Sequence, residues 1–237
     1  MNRIVAVTGS PVDPSRSRTV GLVNGFVESL RARVGEVAVR YIHLNRMTVA
    51  PCRGCLSCTR TGGCPIEDDV PDIRRAMQRA DLLILASPVH FNHVSSIFHG
   101  LVERFLLDQH TFSCIGVPFV TAVTTNGSGE EEADKYLTRV GLLLGGLRVG
   151  SLLGVGTAPF GSKKNDKVLE EAAALLAGRK RPRSSLTNRL YFSFMKRTIR
   201  ENPECFPFEN RWWNEKGWFD RSFAAALEGR RIEGVPS

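Results

Sequence analysis

The stretch ADLLILASPVHF, residues 80–91, decides how the rest of the sequence is read. Leu82–Ala86 is an unbroken apolar run, and Ser87-Pro88 ends it in a polar loop. A continuous rather than alternating run marks a strand buried on both faces, as in a parallel sheet with helices on either side. Working outward, Ile4–Val7 is a β-branched run closed by Gly9-Ser10-Pro11, and Val37–Ile42 is a second strand. Val117–Val123 and Arg148–Val155 are the fourth and fifth. Between the strands, Val20, Val23, Phe26, Val27 and Leu30 recur at helical spacing until Gly35, and Ile73, Met77 and Ala80 do the same. Ile97, Leu101, Val102 and Phe105 fall on one face of a helix over 94–107; further helices are expected over 130–144 and 166–177. Five strands alternating with five helices predict a doubly wound α/β domain with strand order 2-1-3-4-5.

The chain has 237 residues, 42% hydrophobic and 24% charged, values that exclude disorder, collagen and a small disulfide scaffold. The apolar runs are too short to span a bilayer, and the N-terminus lacks the pattern of a signal peptide, so a cytoplasmic protein with no membrane partner is expected. Net charge is +8 but uneven: residues 1–178 carry 19 Lys/Arg against 17 Asp/Glu, residues 179–237 carry 13 against 7. All three tryptophans lie in that last segment, and the strand–helix alternation stops there. The expected organisation is therefore a domain over 1–178, with a Cys-rich loop at 51–69, and a C-terminal extension over 179–237. That extension, with Leu186–Ile199 as a helix, is too short to fold alone and packs on the domain or on a second subunit. No nucleic-acid recognition motif accompanies its basic residues, so no nucleic-acid partner is expected.

In open α/β sheets ligands bind beyond the carboxyl ends of the strands. The loop after the first strand, 9–19, brings hydroxyls and two arginines to a helix N-terminus, which suits a phosphate; Ser15 or Ser17 merely capping the helix is the competing reading. The loops after the third and fourth strands, 87–95 and 124–129, are polar and backbone-rich. Together they suit a ligand with one phosphate and a flat amphipathic ring, a description that flavin mononucleotide meets. Cys52, Cys55, Cys58 and Cys64 form C-x2-C-x2-C-x5-C, followed by Pro65. Four thiolates close in sequence on a glycine-rich turning chain suit a [4Fe–4S] cluster; zinc, or no metal, are the alternatives. Arg53 and Arg60 are placed to offset a negative cluster, Cys114 and Cys205 read as buried hydrophobes, and Asp68 and Asp69 as openers of the helix before Ile73. His90, His93 and His99 lack a carboxylate at ligand spacing, and no catalytic triad or paired carboxylate stands out.

The set GSP…SRT, the four-cysteine loop ending in Asp68-Asp69, ADLLILASPVHF and the TTNG loop resembles the flavodoxin-like NAD(P)H-dependent FMN reductases, most of all their iron–sulfur flavoprotein branch. The resemblance runs over residues 3–178, and WNEKGW at 213–218 is similar to the extensions of longer members. It implies that Ser10, Ser17, Arg18 and Thr19 hold the flavin phosphate. Ser87, Pro88, Val89, His90, Phe91 and Asn92 would line the isoalloxazine ring, and Thr125, Asn126 and Gly127 its other edge. This sequence departs from the family pattern in a longer first loop with Val12 in place of the usual Arg, and in His90 where Tyr is usual. The first bears on the phosphate contacts, the second on flavin potential and stacking. The implied activity passes hydride equivalents from NAD(P)H to FMN, and onward through the cluster to a small-molecule acceptor. The alternative class is a non-enzymatic flavin/iron–sulfur carrier or redox sensor served by a ferredoxin-like protein donor. No acid/base residue is assigned, because the flavin carries the chemistry. The open flavin face and the aromatic tail (Phe206, Phe208, Trp212, Trp213, Trp218, Phe219) lead to the expectation of a homodimer or homotetramer.

Overall fold

Strand β1, Asn2–Thr8, sends its side chains alternately to two cores. Val5 and Val7 join Leu83, Leu85 and Phe119 on one face of the sheet, while Ile4 and Ala6 join Ile84, Ala86 and Ala122 on the other. The other strands are β2 (Val37–His43), β3 (Leu82–Pro88), β4 (Pro118–Thr125) and β5 (Leu147–Val155). All pairings are parallel, in the order β2-β1-β3-β4-β5. Ala6 sits opposite both Tyr41 and Ile84, and a register shift at Phe119/Val120 interrupts the β4–β5 ladder. In this computed structural model residues 1–156 and 163–232 are described, so residues 157–162 and the last five residues of the expected extension lie outside the description.

Helices cover both faces. α1 (Arg18–Val34) opens where the Ser17 hydroxyl accepts from the Val20 N–H at 3.2 Å, and closes at Gly35, whose φ of 78° stops a helix. It packs with α7 (Lys163–Leu176) on the Ile4 face. The opposite face carries α3 (Val70–Gln78), α4 (Ser96–Glu103) and α6 (Glu130–Leu143), and a short α5 (Leu106–His110) follows α4. A short α2 (Ser57–Thr61) forms within the cysteine loop, a stretch whose lack of periodicity predicts no helix. The single helix expected over 94–107 is two. It breaks at Arg104–Phe105, where Arg104 turns its guanidinium inward to Asp68 and to the Ala50 carbonyl.

The C-terminal segment builds a third core of its own. α8 (Leu186–Glu201) begins at a capping box between Ser185 and Asn188, and the Asn188 amide also donates to the Leu142 and Gly146 carbonyls at 3.0 and 3.2 Å. α9 (Pro207–Glu215) uses Pro207 in its first turn, and α10 (Phe223–Ile232) follows a 3-10 turn at Trp218–Asp220. Phe192, Trp213, Trp218, Phe219 and Phe223 close around Phe112, Ile115 and Leu147 of the sheet domain. The exposed aromatic patch expected of the tail is therefore absent: Trp213, Trp218 and Phe219 are buried, and Phe206, Phe208 and Trp212 half-buried. Cys114 is buried, but Cys205 is exposed at the mouth of α9, against the expectation of a buried hydrophobe. Among the described residues no helix is long and apolar enough to cross a membrane.

Candidate flavin cleft and cysteine loop

The parallel sheet places the ends of β1, β3 and β4 side by side, and the loops that follow them are stitched together. The Ser95 hydroxyl donates to the Gly9 carbonyl at 2.5 Å, and the Val89 N–H to the Thr124 carbonyl at 2.8 Å. The Thr19 and Thr124 hydroxyls meet at 2.7 Å, and Arg18 donates to the Gly156 carbonyl. Between them opens a cleft of about 490 Å³, within the range of about 300–1,000 Å³ usual for small-molecule sites.

Ser10, Ser17, Arg18 and Thr19 line one end of this cleft, Pro88, Val89, His90, Phe91 and Asn92 its side, and Thr125, Asn126 and Gly127 its far wall. Ser87 does not line it. Its side chain is fully buried beneath, donating to the Pro88 carbonyl and accepting from the Ser95 N–H. Arg16, Val12, Thr124 and Ser128 also line the cleft; Arg16 is one of the two arginines the sequence places in this loop. The first-turn N–H groups of α1 open at this end, where helix geometry leaves them without intrahelical acceptors. Ser17 itself caps α1, so both readings of that loop have a basis in the geometry.

The ring side has strained backbone. Phe91 and Asn92 adopt φ of 49° and 59°, and the His90 and His93 backbones pair at 2.8 and 2.9 Å to close the turn. Phe91 consequently stands clear of the protein, 105% exposed at the edge of the cleft. Such strain persists only where surrounding contacts hold it. Beside the first loop, Asp13 lies well below the usual carboxylate range because the Ser15 hydroxyl and Arg46 both bond it; Arg46 thereby ties this loop to the end of β2. Burial, helped by Arg46, lowers the His43 pKa and so favours the neutral form of the ring that meets Thr8 at 2.9 Å. His99 meets the Tyr136 hydroxyl at 2.7 Å.

The cysteine loop is pinned at its base. Asp68 accepts from the Ala50 and Val70 N–H groups, Asp69 from the Thr48 N–H, and Arg104 grips both Asp68, at 2.5 Å, and the Ala50 carbonyl. Asp68 thus both opens α3, through the Val70 N–H, and forms half of a buried ion pair, its side chain 0% exposed against 2% for Arg104. Burial opposes its ionisation, yet the Arg104 and backbone donors outweigh burial and lower its pKa. Arg104 also reaches the Cys64 sulfur at 3.4 Å, whereas Arg60 spends a guanidinium nitrogen on the Cys55 carbonyl. Sequence reading missed Arg104 because an arginine in mid-helix ordinarily reads as surface. Cys52 and Cys55 are exposed and Cys58 and Cys64 half-buried; burial pushes the Cys58 thiol up. The donor set, four thiols on a chain turned by Gly54, Leu56 and Gly62 at positive φ, fits a thiolate-bound cluster in kind and number. Among the described residues, however, no three His, Cys, Asp or Glu side chains converge as a metal site.

Over residues 2–159 the sequence matches the family described as NADPH-dependent FMN reductase. The chain belongs to this family. An iron–sulfur flavoprotein of Methanocaldococcus jannaschii is 32% identical over 73% of this chain and 93% of its own length. Among solved structures, RosB matches with a TM-score of 0.58 at 15% identity, over 100% of this chain and 89% of its own. An apo NADH:FMN oxidoreductase matches at 0.54 and 19%, over 80% of this chain and 94% of that one; these two likenesses speak for the fold. As an FMN reductase family member, the protein is an oxidoreductase that uses FMN with NAD(P)H as co-substrate.

Gly129 offers a direct test of the candidate cleft. Its φ is 89°, and a Cβ there would lie 2.6 Å from the Asn92 Oδ1 and 2.9 Å from the Asn92 Cα. Replacing Gly129 by Ala must push the ring loop aside and occupy a left-handed conformation at a cost of about 1–2 kcal/mol. FMN affinity, read from quenching of flavin fluorescence, is expected to weaken about tenfold or more. Unchanged affinity would show that the cleft does not depend on this approach.

Proposed function

We propose that the chain binds FMN in the cleft above β1, β3 and β4, takes hydride equivalents from NAD(P)H and passes electrons to a small-molecule acceptor through a [4Fe–4S] cluster held by Cys52, Cys55, Cys58 and Cys64. The observation that carries the reading is one cleft with two arginines and a helix N-terminus at one end and a polar, backbone-rich wall at the other. Bound FMN supplies two-electron chemistry and a cluster passes electrons singly. Ser10, Ser17, Thr19 and the first turn of α1 bind the phosphate, with Arg16 and Arg18 offsetting its charge. The ring is oriented by Pro88, Val89, His90, Phe91 and Asn92 on one side and by Thr125, Asn126 and Gly127 on the other. His90 in place of the usual Tyr puts an imidazole, rather than a phenol, along the ring. Arg104, 3.4 Å from the Cys64 sulfur, would set a positive charge beside a negatively charged cluster. The name of the Methanocaldococcus relative supports the cluster.

The test is iron, sulfide and a visible spectrum on protein purified without oxygen, compared with Cys55→Ser. The variant is expected to lose its iron while FMN binding persists. Iron content equal to the unaltered protein would overturn the cluster, and a protein that stays colourless with added FMN would overturn the whole reading.

We further propose that the chain works as a homodimer or homotetramer. Support comes from Leu186, Leu190 and Phe194, which at i, i+4 and i+8 form one apolar stripe on α8, each 61–63% exposed. Sedimentation at micromolar concentration is expected to give a multiple of the 26.2 kDa chain mass; a single-chain mass would overturn this.

A further inference from the structure

The edge of the sheet opposite the cysteine loop carries a second concave surface. The loop follows β2, whereas this groove, of about 540 Å³, lies between β5 at the other edge, α7 and the segment that leaves α7. It shares no lining residue with the flavin cleft. Six cations converge on it from three elements: Arg148 of β5, Lys164 and Lys167 of α7, and Lys180, Arg181 and Arg183 beyond. Among the described residues that line it, Glu171 is the only acid.

These charges are held in place rather than carried on a free tail. Gly178, at a φ of 68°, follows α7, and the Arg179 and Lys180 N–H groups both return to the Ala174 carbonyl, at 2.9 and 3.1 Å. The Lys180 ammonium then pairs with Glu171, and the segment is fixed at its far end by the Ser185–Asn188 capping box. The Arg148 guanidinium is set by the Ser151 and Thr138 hydroxyls at 2.6 and 3.1 Å. Asp134 also reaches Arg148, at 3.4 Å, and Lys135 holds the Glu131 that neighbours Lys164. Lys167 has two acids at helical spacing, Glu170 and Glu171, but Arg33 and Lys180 take them. Arg181 and Arg183 are exposed, and neither has a carboxylate partner among the described residues.

Like charges crowded around one groove repel each other, and a multivalent anion removes that repulsion. Guanidinium forks and ammonium point charges both bind phosphate oxygens. The volume falls within the range of about 300–1,000 Å³ usual for small-molecule sites, which favours a compact guest over a long polymer. We propose that this groove binds an oligophosphate chain, free or carried by a nucleotide, while FMN stays in its own cleft. Lys167, Arg181 and Arg183 supply the uncommitted charge, and Arg148 a guanidinium already set in position.

The test is calorimetric titration of the full, FMN-loaded chain in about 0.15 M salt, where loosely held surface ions are screened. Tripolyphosphate is expected to bind saturably at one site without releasing FMN. Arg181→Gln with Arg183→Gln is expected to weaken it about tenfold or more. Arg79→Gln with Arg197→Gln removes the same charge from exposed positions outside the groove and is expected to leave binding unchanged. Adenosine triphosphate identifies the source: tighter binding than tripolyphosphate assigns a nucleotide, equal or weaker binding the free chain. No saturable binding at millimolar tripolyphosphate, displacement of FMN, undiminished binding in the groove pair, or an equal loss in the control pair would overturn the site. A short DNA duplex that binds more tightly than tripolyphosphate at equal phosphate concentration would overturn it too, in favour of a nucleic-acid surface. FMN content, measured on the same samples, reports separately on the flavin cleft.

Discussion

Replacing Arg104 by Leu is expected to destabilise the protein by about 3–5 kcal/mol, the range for removing one partner of a buried ion pair. The cost arises at Asp68, whose carboxylate is sealed from water and loses its counter-ion. The Ala50 carbonyl loses a donor in the same step. The variant with Asp68→Asn in addition removes the stranded charge and should recover part of the loss, which separates the ion pair from the packing of the guanidinium stem. The sign of the pH dependence follows from the lowered Asp68 pKa. Its contribution is fully present above the ordinary carboxylate range and is lost as pH falls through the lowered folded value. In the Leu variant the same carboxylate is buried and unpaired, so its pKa rises, and acid should relieve rather than worsen the penalty. Urea unfolding at pH 7 and in mild acid measures both; equal stability of variant and parent at pH 7 would refute the account.

The second large effect is expected at Trp213. Its side chain is fully buried, with ring centroids 4.8–5.9 Å from Phe192, Trp218, Phe219 and Phe112, and its indole donates to the His110 carbonyl at 2.9 Å. Trp213→Ala should cost about 3–5 kcal/mol through the cavity it opens. It should do so unevenly, because the third core is separate from the two that flank the sheet. The C-terminal helices are expected to loosen first, with loss of near-ultraviolet tryptophan dichroism, while FMN titrates normally. Loss of FMN binding in step with the dichroism would mean that tail and sheet domain unfold as one unit. The neighbouring Glu209 is also buried, bonded to His110 at 3.0 Å, and its second oxygen lacks a partner, so α9 has little tolerance for being shifted.

What the sequence made legible was what rests on local pattern. The run at Leu82–Ala86 and its four counterparts located the strands, and the loops after β1, β3 and β4 were identifiable because a parallel sheet sends them to one rim. The residues that escaped notice act across long sequence separations. Arg104 sits in an apolar stretch, and nothing nearby reveals that its partner is Asp68. Ser87 belongs to the rim loop in sequence but points beneath it, because Ser95 claims its oxygen. The tail's aromatics were legible as a group needing cover, but not that Phe112 and Ile115 would supply it. An exposed Cys205 follows from its place in the turn between α8 and α9, where Asn202 caps the end of one helix and Pro207 begins the next.

The contact between Phe208 and Gly62 has a consequence in time as well as in space. A Cβ at position 62 would lie 2.1 Å from the Phe208 ring, so α9 closes tightly over the cysteine loop. Synthesis runs from the N-terminus, and domains fold as their residues emerge. The four cysteines are therefore made long before the helix that covers them, and for most of translation the loop faces solvent on a side that the finished protein seals. Whatever approaches the loop from that side has its widest door on the nascent chain, because in the finished protein Phe208 of α9 lies against Gly62 there.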